Sequence, residues 1–420
     1  MSREVRIVLD LKPYRDALAL PGLRPLLLVA ILARVPVAAT AVVMTLHVLD
    51  LGHGYFAAGL VGAALTVGSA LGAPLLGRLV DRRGLRPMLL LTTVVEALFW
   101  ATAPVLPYPV LLSAAFVGGL LTLPVFSVVR QSIAALVPPT HRRQAYALDS
   151  MSVELSFMIG PAGAVALATS ASPTLTMYAV GGGIVLAGLT LLVLNPPTRA
   201  RDEQTTPAQP LPRRQWLTPR LIGLLAGGAA STLVIAGIDV TLVAVLRDAG
   251  QVNWTGVVLA LWASYSLVGG FTYGALSRPV PSLALTLLLG LVTIPIGLGS
   301  GDWWLLALVL LPSGVLTAPT VAATADAVSR LAPASARGEA MGLHASAMVT
   351  GLALGAPLAG AVIDASAPAW GFAATGLLGA LTALAVLPTE LRHRGSDAAM
   401  ATITPTAAPV PDSAPVRPSI

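Results

Sequence analysis

Long apolar runs, interrupted by short polar or charged stretches, divide most of the chain into twelve segments. The first six span roughly 24–49, 55–79, 86–106, 109–135, 144–168 and 173–194. The last six span roughly 220–246, 253–276, 281–300, 303–328, 339–363 and 368–388. Each can carry a helix across a bilayer, which takes about 20 residues. Backbone groups in hydrocarbon must be satisfied within the segment, so each run predicts an α-helix. An even number of crossings puts both ends of the chain on one side.

Two polar stretches interrupt this pattern. Residues 195–219 are rich in Pro, Thr, Gln and charge and read as a flexible linker between halves. Residues 389–420 carry Pro, Ala, Ser and Thr and read as a disordered tail. The predicted organisation is a lead-in over 1–23 with a short surface helix, a six-helix bundle over 24–194, the linker, a second bundle over 220–388, and the tail.

The halves repeat. Leu136, Pro138, Arg142, Gln144, Ala145, Leu148 and Gly160 recur 195 residues later as Leu331, Pro333, Arg337, Glu339, Ala340, Leu343 and Gly355. Gly59, Ser69, Gly72, Gly77 and Leu79 recur as Gly256, Ser266, Gly269, Gly274 and Leu276. The expected fold is therefore all-α and membrane-spanning, with two six-helix bundles related by a pseudo-two-fold axis. Glycine and small residues fill the second, fifth, eighth and eleventh spans, where they serve close helix packing or line the interface on which the halves rock.

Composition agrees with this class. The chain is 55% hydrophobic and 10% charged, against about 25% charged residues in a soluble domain. The net charge of +6 does not indicate nucleic-acid binding, because the basic residues flank apolar runs instead of forming a basic domain. On the predicted spans, 23 of the 25 basic residues fall on one face, with Arg130 counted in the connection before the fifth span. Arg34, inside the first span, and Arg247 are the exceptions. This bias orients both termini to the cytoplasm. One Lys beside 24 Arg suggests a GC-rich bacterial genome and hence a bacterial inner membrane.

Enzyme signatures are missing from the sequence. There is no cysteine, no phosphate-binding glycine loop, no His-Glu-x-x-His and no Gly-x-Ser-x-Gly. No cofactor or metal site is expected. The chemistry rests instead on ionisable groups within apolar runs, each costly there and each needing a cavity or a partner. The candidates are Arg34, Glu96, Asp149, Glu154, Asp239 and His344. Substrate binding or proton carriage is one reading; a static ion pair holding helices together is the other. Asp149, Ser152 and Ser156 share a helical face, and Glu154 points away from it.

Gly77-Arg78-Leu79-Val80-Asp81-Arg82-Arg83-Gly84-Leu85-Arg86 joins the second and third spans. Gly77 allows close backbone approach and Gly84 suits a turn with positive φ. The alternative is a positive-inside loop whose Asp only offsets charge. The stretch resembles the loop signature of the major facilitator superfamily. Gly77, Leu79, Asp81, Arg82, Gly84 and Arg86 match that pattern, and Leu85 departs from it. Gly160-Pro161-Ala162-Gly163-Ala164 is similar, in part, to the fifth-helix motif of antiporters in that superfamily. The resemblance implies a gate at Gly77, Asp81, Arg82, Gly84 and Arg86, with Asp81 directed at the start of the eleventh span near Gly338. It further implies a monomeric transporter for a small-molecule substrate, surrounded by lipid and driven by the proton gradient, on the drug or metabolite efflux branch. Proton-coupled uptake of a small polar solute and a transporter-like sensor or scaffold are the alternatives. In the second copy of the hinge the acid is lost, because Arg278 stands where Asp81 would fall.

Overall fold

A computed structural model of the chain describes residues 12–200, 211–276 and 280–403. A short helix α1 (Lys12–Ala19) precedes the first half. That half consists of α2 (Leu23–Asp50), α3 (Tyr55–Arg83), α4 (Leu85–Thr102), α5 (Tyr108–Leu120), α6 (Val125–Leu136), α7 (Arg142–Ser170) and α8 (Pro173–Leu194). A single turn, α9 (Arg213–Trp216), leads into the second half. This comprises α10 (Pro219–Asp248), α11 (Thr255–Ala275), α12 (Ser282–Thr293), α13 (Trp303–Val309), α14 (Leu311–Leu331), α15 (Arg337–Ala365) and α16 (Trp370–Ile403). Eleven helical stretches are long and apolar enough to cross a membrane, and α13 with α14, bent by 43°, supplies a twelfth.

Local sequence sets the starts of several spans. Ser172 caps α8 by accepting from the Leu175 amide at 3.1 Å, and Thr218 caps α10 by accepting from Leu221 at 3.3 Å. Both helices carry proline in the first turn, where its missing N–H costs nothing.

The halves pack in the same way. In the first, α2 lies against α7 and α8, α3 against α5, and α4 against α8. In the second, α10 lies against α15 and α16, α11 against α14, and α12 against α16. The glycine repeat explains the match. A Cβ at Gly72 would strike the carbonyl of Leu120, and one at Gly269 would strike that of Val315. The halves meet through α3 against α15 and α7 against α11.

Three apolar cores show how the halves are joined. One contains residues of both halves, among them Leu76, Val80, Tyr273, Ala325 and Met341. It lies at the arginine-rich end. The other two are private: one draws on residues 39–184 alone and the other on residues 234–372 alone. The bundles thus share a core at the arginine-rich end and have separate cores away from it.

Four expectations need correction. The fourth span is not one helix: α5 and α6 are separated at 121–124, because Pro124 supplies no N–H and its ring blocks helix continuation. Arg130 does not lie in a connection but is buried within α6. The linker is not free along its length, since Arg199, Arg213 and Trp216 all engage the folded body. The last helix continues through 389–403, where a disordered tail was expected. Residues 1–11, 201–210, 277–279 (with Arg278) and 404–420 lie outside the described residues.

The glycine contacts carry a test. Gly72→Val and Gly269→Val should each lower stability by about 1–3 kcal/mol through overpacking. Gly62→Val, where nothing lies within 4 Å, should change it by less than about 0.5 kcal/mol. Thermal unfolding of the detergent-solubilised variants would show whether the pattern holds.

Candidate functional site

Polar side chains gather in three layers along the axis between the bundles. The first seals the arginine-rich end. Asp81 Oδ1 and Oδ2 accept from the amides of Gly338 and Glu339, each at 2.8 Å. A carboxylate from one half thereby caps the first turn of α15 in the other, where unpaired amides and the helix dipole favour negative charge. Gly77 and Gly338 permit this approach, since a Cβ on either would strike the other's carbonyl. Arg78 grips Glu339 through Nε at 3.0 Å and Nη2 at 2.8 Å. The linker joins in: Arg213 Nε donates to Glu339 Oε1 at 2.5 Å, and Arg199 Nη2 donates to the Asp81 carbonyl at 2.7 Å. Gly84 turns the chain at φ 84°, while Arg82 and Arg86 remain exposed at the surface.

The second layer is a buried ion cluster. Arg34 Nη2 donates to Asp149 Oδ1 at 2.6 Å, and its Nη1 donates to Ser152 Oγ at 2.7 Å. Arg130 Nε donates to Asp149 Oδ2 at 3.1 Å. Arg34 and Asp149 are fully buried, and the Arg34 guanidinium stacks over the Phe126 ring at 5.0 Å. From the other half, Met348 Sδ accepts from Arg130 Nη1 at 3.2 Å. His344 is buried nearby, with Nε2 3.3 Å from Thr324 Oγ1. One carboxylate therefore serves two guanidiniums from α2 and α6.

The third layer lies between the private cores. Glu154 on α7 accepts from Ser266 Oγ on α11 at 3.0 Å, a contact between halves. Asp239 on α10 is within electrostatic reach of Glu154. Among the described residues neither carboxylate has an ion pair. Asp239, Arg247 and Asp248 line a cavity of about 870 Å³ at the end remote from the gate, bounded by Ile363 and Pro368.

Glu96 has a different setting. Its carboxylate accepts from Trp100 Nε1 at 2.9 Å, Thr122 Oγ1 at 2.6 Å and the Leu123 amide at 3.1 Å. It thereby satisfies the backbone where the fourth span breaks. Glu96 also borders a cavity of about 300 Å³ that Phe126 and Val349 share, so the break faces the space between halves. Gly160 packs against the Val35 carbonyl of α2. Pro161 lies within α7, and Gly163 faces open space.

A family model described as the Major Facilitator Superfamily matches residues 26–299 and 277–411. The chain belongs to the major facilitator superfamily. It is accordingly a multi-pass membrane transporter and not an enzyme. No curated sequence matches it significantly. The fold is similar to the crystal structure of the human organic anion transporter TETRAN, with TM-score 0.69, 19% identity, and 89% of this chain and 99% of that one covered. It is also similar to a bacterial homologue of the iron transporter ferroportin in an outward-facing state, with TM-score 0.68, 16% identity and coverage of 88% and 100%. A third likeness is to the proton:xylose symporter XylE, with TM-score 0.65, 13% identity and coverage of 86% and 94%.

Within this superfamily member, the sequence candidates separate by setting. Arg34 and Asp149 come together, but as a closed ion cluster and not as cavity groups. Arg34 and Asp239, expected to face one cavity from opposite bundles, do not meet. The contact expected between Asp81 and the start of the eleventh span is present. Sequence reasoning missed Arg130, whose signal was a lone arginine in the apolar run 125–136. It also missed Arg78, Glu339, Arg199 and Arg213, whose partners lie in distant parts of the chain.

Removing Asp149 leaves two buried guanidiniums facing one another. Asp149→Asn should therefore destabilise the protein by about 3–5 kcal/mol, read as a lowered unfolding temperature in detergent. A variant as stable as the parent would mean that the cluster contributes nothing to holding α2, α6 and α7 together.

Proposed function

We propose that the chain exports a small molecule in exchange for protons by alternating access, with its arginine-rich end in the cytoplasm of a bacterial inner membrane. The observation that carries this is the Glu154–Asp239 pair. The two carboxylates come from opposite halves, and among the described residues neither is in an ion pair. Like charges repel, and taking up one proton relieves the repulsion. Their spacing also depends on how the halves are disposed, so proton binding and the rocking of the bundles are coupled. The shared core at one end and private cores at the other correspond to a cytoplasmic side that is closed.

Two of the structural neighbours support proton coupling by analogy: XylE and the fucose:proton symporter FucP are both described as proton symporters. Because they are symporters, they also favour uptake as the second reading. The partial antiporter motif at Gly160 and Pro161 supports export. TETRAN, described as an organic anion transporter, makes organic anions the first substrates to screen.

Proteoliposomes with an imposed pH gradient test the reading. Transport should require the gradient, and Glu154→Gln or Asp239→Asn should abolish the gradient-driven component while the protein remains folded. Equal transport with and without a protonophore would overturn proton coupling, and substrate movement along the proton flux would overturn export. The gate has its own readout. Asp81→Asn weakens a helix-terminus contact worth about 1–2 kcal/mol, so cytoplasmic labelling of cysteines introduced into the cavity should rise several-fold. Unchanged labelling would remove the gate role.

A further inference from the structure

At the gate the second half keeps the glycine and leucine of the first hinge, as Gly274 and Leu276, but not its acid. In the first half, Asp81 lies one turn beyond Gly77 and clips α15. In the second, the matching acid is absent, since Arg278 falls there. Its neighbour Gly274, the counterpart of Gly77, is contacted instead by α1. The Tyr14 hydroxyl donates to the Phe271 carbonyl at 2.5 Å and reaches that of Gly270 at 3.3 Å. The Tyr14 ring stacks on Phe271, with centroids 5.0 Å apart and planes 3° from parallel.

The end of α11 is held in several ways by groups from outside the second bundle. Gln144 Nε2 donates to the Gly274 carbonyl at 2.9 Å, and Arg143 Nη2 donates to that of Leu276. Tyr14 is 5% exposed and Ala17 is fully buried. Ala17 belongs to the core shared by both halves. Burial raises the pKa of the Tyr14 phenol above its ordinary value, so the hydroxyl remains a donor at neutral pH. At Gly274, the three atoms nearest to an added Cβ all belong to Tyr14. The fit between α1 and α11 is therefore specific to this pair of residues.

We infer that α1 is a conformational latch: Tyr14, inserted against Gly274 and Phe271, takes over at the second hinge the closing role that Asp81 plays at the first. Its contacts to α11 exist only while the bundles share a core at this end, so they weight the equilibrium toward the closed cytoplasmic gate. The inference rests on alternating access but not on the direction of transport or on proton coupling.

The test uses the full-length protein in proteoliposomes with a single reporter, Ala325→Cys, buried in the shared core, in an otherwise cysteine-free chain. Labelling by an impermeant maleimide from the arginine-rich side should accelerate in Tyr14→Phe by roughly two- to ten-fold, the worth of one neutral hydrogen bond. Tyr14→Ala, which also loses the ring stack, should accelerate it further. Gly274→Ala should act like Tyr14→Ala when Tyr14 is present and add nothing when Tyr14 is already Ala. Parental labelling in Tyr14→Ala would make α1 a passive surface helix and overturn the latch. So would an undiminished Gly274→Ala effect in the Tyr14→Ala background. Tyr14→Phe keeps the packing intact, so an effect there is not one of misfolding. Because the readout is accessibility, failure of proton coupling would leave it unchanged.

Discussion

A charge within hydrocarbon has no water to return to, and that constraint organises the interior of this transporter. Burying a carboxylate or guanidinium costs several kcal/mol unless geometry and hydrogen bonds repay it. Asp149 meets the condition by engaging Arg34 and Arg130 through opposite oxygens. The three groups bind α2, α6 and α7 into one body. Glu96 meets it at a broken helix, where its carboxylate takes three donors, one of them the Leu123 amide at the break. Glu154 and Asp239 do not meet it in the same way. Glu154 has only the Ser266 hydroxyl of the other half, and Asp239 opens on a cavity.

This division of labour follows the architecture. Ion pairs within a bundle are rigid and keep each half a solid object. Polar contacts between bundles concentrate at the arginine-rich end, where Asp81, Arg78, Gln144 and Tyr14 reach across. Each is individually modest, and their exposure ranges from the buried Gln144 and Tyr14 to the part-exposed Arg78. Glycine makes them possible, since backbones at Gly77 and Gly338 must approach before a carboxylate can reach an amide.

The sequence made legible whatever depends on local pattern. Apolar length located the spans, and the repeat of glycines forecast the paired packing of Gly72 and Gly269. The spacing of Asp149, Ser152 and Ser156 put them on one face, and Arg34 indeed binds the first two. What remained hidden depends on contacts between distant segments. Nothing near Arg34 names Asp149 as its partner in preference to Asp239. Pro124 was visible, but an isolated proline does not say whether a helix kinks or breaks. The lead-in was read as a short surface helix and the linker as a flexible spacer, yet Tyr14 and Arg213 are specific through residues more than a hundred positions away.

The linker contact has a further consequence. Arg213 is about half exposed, with 48% of its side chain accessible, and it shares Glu339 with Arg78, which is 33% exposed. Charge pairs in such positions are screened by mobile ions within a Debye length of about 8 Å at physiological salt. The backbone-capping bonds of Asp81 are more sheltered. The closed state is therefore held by two kinds of fastening, one that weakens as ionic strength rises and one that largely does not. Salt at the arginine-rich end thus acts on how firmly the bundles are fastened through the connector between them.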